Sequence, residues 1–158
     1  MQVRDAMVRN IIAVNHTASI RKLLDIFLTN RVDSLPVIDK SDTLVGFVTL
    51  EDLAEVLMPR YKEIMRDYIY FQEFGQLERI FEAQSHLLDE EKLILVEDCI
   101  HPKFISITEN ESLITAAALM QTSNVRRIPV VNSSKKLVGI ISLTDVLLYL
   151  FTRHPAKI

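Results

Sequence analysis

A chain of 158 residues, 49% of them hydrophobic, is long enough to bury one well-developed core and short for two independent ones. A formal net charge of -3 with a pI near 5.8 leaves no broad basic face, which argues against nonspecific nucleic-acid binding. A single cysteine excludes an internal disulfide, no apolar run approaches the roughly 18 residues of a membrane span, and no charged N-terminal region precedes an apolar one, so a cytoplasmic protein without a membrane anchor is expected.

In chain order, Ile11 to Val14 is an apolar run suited to a short strand. Thr17, a capping residue type, precedes a helix with Ile20, Leu23, Leu24, Phe27 and Leu28 on one face, the stripe of a half-buried helix. Leu35 to Ile38 and Leu44 to Thr49 read as strands joined by the polar turn Asp39-Lys40-Ser41-Asp42-Thr43. A helix carrying Leu50, Leu53, Ala54 and Leu57 follows. Pro59 then opens a stretch with Tyr61, Ile64, Met65, Tyr68 and Ile69 at helical spacing. Beyond Gly75, Leu77, Ile80, Phe81, Leu87 and Leu88 suggest a second amphipathic piece, and Glu90 to Val96 a third. The first order of elements then returns. Phe104 to Ile107 is a strand, Asn110 stands where Thr17 stood, and Leu113, Ala116, Ala117 and Met120 form the stripe with smaller residues, implying a closer neighbour. The turn Asn132-Ser133-Ser134-Lys135-Lys136 joins two further strands, and Leu143, Val146, Leu147 and Leu150 mark the last helix.

The two copies align without a gap. Leu44-Val45-Gly46-Phe47-Val48-Thr49-Leu50-Glu51-Asp52 falls on Leu137-Val138-Gly139-Ile140-Ile141-Ser142-Leu143-Thr144-Asp145, Pro36-Val37 on Pro129-Val130, Asp5 on Asp98 and Ser19 on Ser112. About 15 of roughly 55 aligned positions are identical, several times the chance level. Cys99 falls on Ala6, which marks it as a small core residue rather than a reactive thiol. A unit of roughly 55 residues gains too little from its surface-to-volume ratio to stand alone, so two copies packed sheet to sheet around one core are expected. Gly46 and Gly139 are two of only three glycines. A strand glycine implies a close neighbour or a bulge, and a ligand and the opposite sheet both fit.

The chemistry sits at the junction between the third strand and the last helix of each unit. In Thr49-x-x-Asp52 and Ser142-x-x-Asp145 a hydroxyl precedes a carboxylate by three residues. That spacing makes a capping box, in which the hydroxyl caps the helix and the acid returns to the cap N–H. A ligand role for the same pair stays open on spacing, which favours the cap. Support for catalysis is absent: there is no glycine-rich phosphate loop and no Cys-x-x-Cys, and His16, His86, His101 and His154 have no metal-ligand spacing. Asp89-Glu90-Glu91 reads as a solvated helix start. No catalytic or metal-binding residue is assigned.

The order strand, helix, strand, strand, helix, with a Pro-Val strand start and a Gly-x-x-Ser/Thr-x-x-Asp junction, resembles the cystathionine-beta-synthase (CBS) domain. Two such repeats form a Bateman module. The resemblance covers about residues 3 to 57 and 96 to 150. It implies an α/β (α+β) fold of two βαββα repeats packed as a pseudo-two-fold pair, with repeat 1 at 1–58, a helical insert at 59–95, and repeat 2 with its tail at 96–158. It further implies a regulatory, non-catalytic module with no obligatory cofactor, whose ligand is AMP, ADP, ATP or S-adenosylmethionine held between the repeats.

Carried onto this chain, the resemblance puts Thr49, Asp52, Ser142 and Asp145 on ribose or phosphate. Arg126 or Arg127 reaches a phosphate, a role suited to the planar guanidinium fork. The adenine packs against Ile12 and Val32, or against Ile105 and Val125. The first copy has Asp33 and Ser34 where the second has the arginines, so unequal sites are expected, the stronger combining Thr49 and Asp52 with Arg126 or Arg127. Lys103 reads as a surface lysine. The family also implies a disc-like homodimer and an enzyme or transporter regulated in trans. The alternative is a ligand-free interaction or dimerisation module acting through the central helices.

Overall fold

The computed structural model describes residues 1–57, 94–100 and 103–153. Of the helical insert expected at 59–95, residues 59–93 lie outside the described residues. The first copy contains α1 (Val3–Ala6), β1 (Val14–Asn15), α2 (Ile20–Asn30), β2 (Ser34–Ile38), β3 (Leu44–Thr49) and α3 (Leu50–Leu57). The second contains a 3-10 helix (Val96–Cys99), β4 (Ile107–Thr108), α4 (Leu113–Thr122), β5 (Arg127–Val131), β6 (Leu137–Ser142) and α5 (Leu143–Arg153). Each copy builds a three-stranded sheet, in the orders β1-β2-β3 and β4-β5-β6. In the second sheet β4 runs parallel to β5, with Ile107 opposite Val130, and β5 runs antiparallel to β6, with Arg127 opposite Ser142. The mixed α/β class and the βαββα order are those expected.

Three local expectations need correction. The leading apolar runs pair only at their ends: β1 begins at Val14 and β4 at Ile107. In the second run apolarity signals burial without pairing, since Ile105 packs against its core outside any strand, while Ile12 of the first run is 40% exposed. The helix caps are Ser19 and Ser112, not Thr17 and Asn110; each serine oxygen accepts a backbone N–H, from Lys22 at 3.2 Å and Thr115 at 3.0 Å. Thr17 instead belongs to the preceding turn, where its N–H and hydroxyl both donate to Asn15 Oδ1. Finally, Leu28 is 77% exposed, so the buried stripe of α2 narrows to Ile20, Leu23 and Phe27.

The described residues fall into two units: 1–13, 38–46 and 103–153 form one, and 14–37, 47–57 and 94–100 the other. The leading segment of each copy therefore packs with the body of the other. Val3 and Met7 lie in a core with Ile107, Leu113, Ala116, Ile128 and Val146. Val96 and Cys99 lie in a core with Ile20, Leu23, Phe27, Leu35 and Leu53. The backbone bonds repeat the exchange in register. Val3 N–H donates to Glu111 O at 2.8 Å and Arg4 N–H to Glu109 O at 3.0 Å; at the matching positions Val96 N–H donates to Ala18 O at 2.8 Å and Glu97 N–H to His16 O at 3.0 Å.

The strand glycine of the second copy is explained by this exchange. A Cβ on Gly139 would stand 2.5 Å from Met7 Sδ and 3.3 Å from Met7 Cβ. The close neighbour is thus neither a ligand nor an opposing sheet but the leading segment. That segment continues as an extra rung on β6, where Val8 and Ile140 exchange N–H···O bonds of 2.9 and 3.0 Å.

Candidate functional site

Both strand-to-helix junctions form complete capping boxes. At α3, Thr49 N–H and Thr49 Oγ1 each donate to Asp52 Oδ2 at 2.8 Å, and Asp52 N–H donates back to Thr49 Oγ1 at 3.1 Å. At α5, Ser142 N–H and Oγ donate to Asp145 Oδ2 at 2.8 and 2.6 Å, and Asp145 N–H donates to Ser142 Oγ at 3.2 Å. All four residues are half-buried. The strand supplies the hydroxyl and the first helical turn supplies the acid, so one oxygen of each carboxylate is fixed by its own backbone. Asp145 Oδ1 has no hydrogen bond among the described residues and remains able to accept two hydroxyl donors.

The surroundings of the two boxes differ in charge. Arg127 lies directly across the β5–β6 ladder from Ser142, and Arg126 precedes it; both are exposed. One unit therefore brings a guanidinium, a hydroxyl and a carboxylate to a single corner of its sheet. At the matching corner of the other unit, Ser34 Oγ donates to Asp33 Oδ1 at 3.0 Å and Asp33 O accepts Leu50 N–H at 2.9 Å. Two acids, Asp33 and Asp52, sit there with no arginine at the equivalent positions.

The remaining expected contacts are split between the units. Val32 is half-buried against the core of α2 and α3. Ile105 and Val125 are half-buried against the core of α4 and α5, while Ile12 is 40% exposed. Cys99 is buried, with its Sγ 3.8 Å from Leu95 O. Burial pushes its thiol up to about 11, with the charges of Asp98 and Asp52 adding to the effect, which matches the expected inert core residue.

One pair escaped the sequence reading. His16 Nδ1 lies 2.8 Å from Glu97 Oε2, beside the backbone bond between the same residues. The matching positions are Glu109 and Arg4, so the acid and base are exchanged between copies, a signal visible in the aligned sequence. Among the described residues no cluster of three or more His, Cys, Asp or Glu is arranged to hold a metal ion, and no helix is long and apolar enough to cross a membrane.

Comparison with known proteins bears on the same segments. The CBS domain family matches this chain twice, at residues 3–59 and 96–152. The CBS domain-containing protein CBSX1, chloroplastic, of Arabidopsis thaliana is 32% identical over 84% of this chain and 56% of its own length. The chain thus spans about half the length of the curated relatives it matches. Among solved structures, CBSX2 in complex with AMP superposes with a TM-score of 0.69 at 25% identity, covering 96% of this chain and 97% of that one. The CBS domain pair of protein MJ0100, in complex with 5'-methylthioadenosine and S-adenosyl-L-methionine, shares the fold with a TM-score of 0.63 at 20% identity over 97% and 98% of the two chains.

Proposed function

Because the chain belongs to the CBS domain family, with two repeats in tandem, we propose that it is a regulatory module whose ligand is an adenosine-containing molecule such as AMP, ADP, ATP or S-adenosylmethionine. The observation that carries this reading is the duplicated corner in which a backbone-fixed carboxylate stands at a helix N-terminus, joined in one copy by Arg126 and Arg127. The likeness to AMP-bound CBSX2 supports the ligand class.

In this reading Thr49 and Ser142 are positioning residues, because their hydroxyls already serve the boxes, and Asp52 and Asp145 accept the ribose hydroxyls. Arg126 or Arg127 takes a phosphate, and the residues that flank an adenine are drawn from Ile12, Val32, Ile105 and Val125. Binding changes output only through a pose that the ligand prefers, read by an enzyme or transporter in trans. The module is non-catalytic, works in the cytoplasm, and assembles as a homodimer.

A second reading, a ligand-free interaction module acting through the central segment, is favoured by the completeness of both boxes, which need no ligand to satisfy them. Isothermal titration of the wild-type chain with AMP separates the two. Saturable heat that Asp52→Ala weakens at least tenfold, and more than Asp145→Ala does, supports the sensor. Saturable heat unaffected by either substitution overturns the assignment of Asp52 and Asp145, and no heat with any adenosine compound favours the interaction module.

A further inference from the structure

The two leading segments are docked by different chemistry. Among the described residues the methionines are Met1, Met7 and Met120, which are 56%, 8% and 2% exposed. Met7 holds the first segment on the face of β6, where its Sδ and Cγ fill the space that a Cβ on Gly139 would need, at 2.5 and 3.0 Å. The next residue, Val8, closes the rung with Ile140, each N–H donating to the other's carbonyl. Upstream, Val3 is buried in the same core and its N–H donates to Glu111 O. The segment is thus held by one short helix, one thioether and one rung, few enough contacts to leave while the core of α4 and α5 stays closed.

The duplication supplies an internal control. At the positions of Met7 and Gly139 stand Ile100 and Gly46, and Ile100 packs part-buried against the core of Leu53, Val96 and Cys99. The scaffold therefore docks a leading segment equally with a hydrocarbon, which a peroxide leaves intact. The sulfur on that second segment, Cys99, is buried with its thiol held up at about 11, so it stays protonated and unreactive. A thioether needs no ionisation to react. Its sulfoxide carries a strongly accepting oxygen, and the environment of Met7 offers that oxygen no donor: the Val8 and Ile140 N–H groups serve each other, and the surrounding core residues, Val3, Ile107, Leu113 and Val146 among them, are apolar.

We propose that Met7 is a redox latch: a hydroperoxide oxidises its thioether to the sulfoxide, the leading segment leaves β6, and reduction of the sulfoxide docks it again. In the forward step a sulfur lone pair attacks one peroxide oxygen. The S–O bond forms as the O–O bond breaks, and the departing oxygen takes the peroxide proton and leaves as water or an alcohol. Sulfur loses two electrons and the peroxide gains them. In the reverse step two thiols supply two electrons and two protons, the oxygen leaves as water, and a disulfide forms on the reductant. Docking slows the oxidation, which proceeds through excursions of the segment, and the sulfoxide then holds the segment out because the fit over Gly139 is lost. The released sulfoxide is open to a reductase, which makes the latch reversible.

Amide hydrogen exchange of the full chain, followed by NMR before and after hydrogen peroxide with oxidation mapped by mass spectrometry, tests it. Met7 oxidises more slowly than Met1 and faster than Met120. In chains carrying the sulfoxide at position 7, exchange of the Val8 and Ile140 N–H groups rises by roughly 30-fold or more, the lower end of what losing a buried methionine's packing produces. Leu23 N–H, which donates to Ser19 O in the other unit, keeps its rate. A methionine sulfoxide reductase with dithiothreitol restores the protection. Met7→Ile, the residue type at the matching position 100, keeps the rung closed in peroxide while the other methionines still oxidise, and Met7→Leu does the same where the branched variant folds poorly. The latch is overturned by a Met7 that oxidises no faster than Met120, by a sulfoxide that leaves Val8 and Ile140 protected, by an equal rise at Leu23, which marks general destabilisation, or by the same rise in Met7→Leu.

Discussion

Gly139→Ala is the most informative single-atom change in the scaffold. The added Cβ would stand 2.5 Å from Met7 Sδ, 3.0 Å from Cγ and 3.3 Å from Cβ, against about 3.5 to 4.0 Å for relaxed carbon contacts. Rotating the thioether away relieves the first contact and leaves the last, so the backbone near Met7 has to retreat. The retreat strains the paired bonds between Val8 and Ile140. Overpacking of this kind costs about 1 to 3 kcal/mol, reduced by roughly 0.4 to 1 kcal/mol because alanine restricts the unfolded chain. A net loss of about 1 to 2 kcal/mol lowers the melting midpoint by roughly 2 to 8 °C at this chain length. Urea denaturation of Gly139→Ala, Met7→Ala and the double variant gives the assay. Met7→Ala alone costs about 2 to 5 kcal/mol, and the double variant is better than the sum by at least roughly 1 kcal/mol, because alanine at 7 removes the clash. Strict additivity, or a Gly139→Ala chain as stable as wild type, would refute the claim that the leading segment crosses β6 at this glycine.

Further outcomes concern the boxes, a left-handed residue and the thiol. Ser142→Ala removes the hydroxyl that caps α5 and costs about 1 kcal/mol in urea denaturation; no change would mean that the box carries no stability. Arg31 ends α2 at a φ of 52° and Asn124 repeats that geometry after α4, so Arg31→Gly, which adopts it without a Cβ penalty, raises the midpoint by an amount worth about 0.5 to 1 kcal/mol. The raised Cys99 value keeps the folded thiol protonated where the unfolded thiol ionises. The unfolded state then binds fewer protons, and this group's contribution to stability falls as pH rises from 9.0 toward about 11. Cys99→Ala flattens that decline, and an unchanged slope would contradict the assignment.

Much of the scaffold was legible because duplication repeats every signal. The strand limits Leu44 and Thr49 and the buried Leu53 of α3 followed from period and turn chemistry, whereas Leu50, read onto the same face, is 41% exposed. What escaped depends on partners far away in sequence. Val3, Ala6 and Met7 carry no pattern that assigns them to the core of the other copy, and the Cβ-free Gly139 is intelligible only once Met7 lies over it. The cap moved from Thr17 to Ser19 because Asn15 claims the threonine for a turn, a competition that residue type alone does not decide. Spacing located the capping boxes of Thr49 with Asp52 and of Ser142 with Asp145, and the register set Arg127 opposite Ser142.

The central claim, a module that senses an adenosine-containing ligand, is tested most directly by thermal denaturation of the wild-type chain with AMP, ADP, ATP, S-adenosylmethionine, NAD and cyclic dinucleotides. A true ligand at 100 times its dissociation constant adds about 2.7 kcal/mol, which raises the midpoint by roughly 5 to 10 °C. At least one of AMP, ADP, ATP and S-adenosylmethionine gives that rise. Flat traces across all four would contradict it.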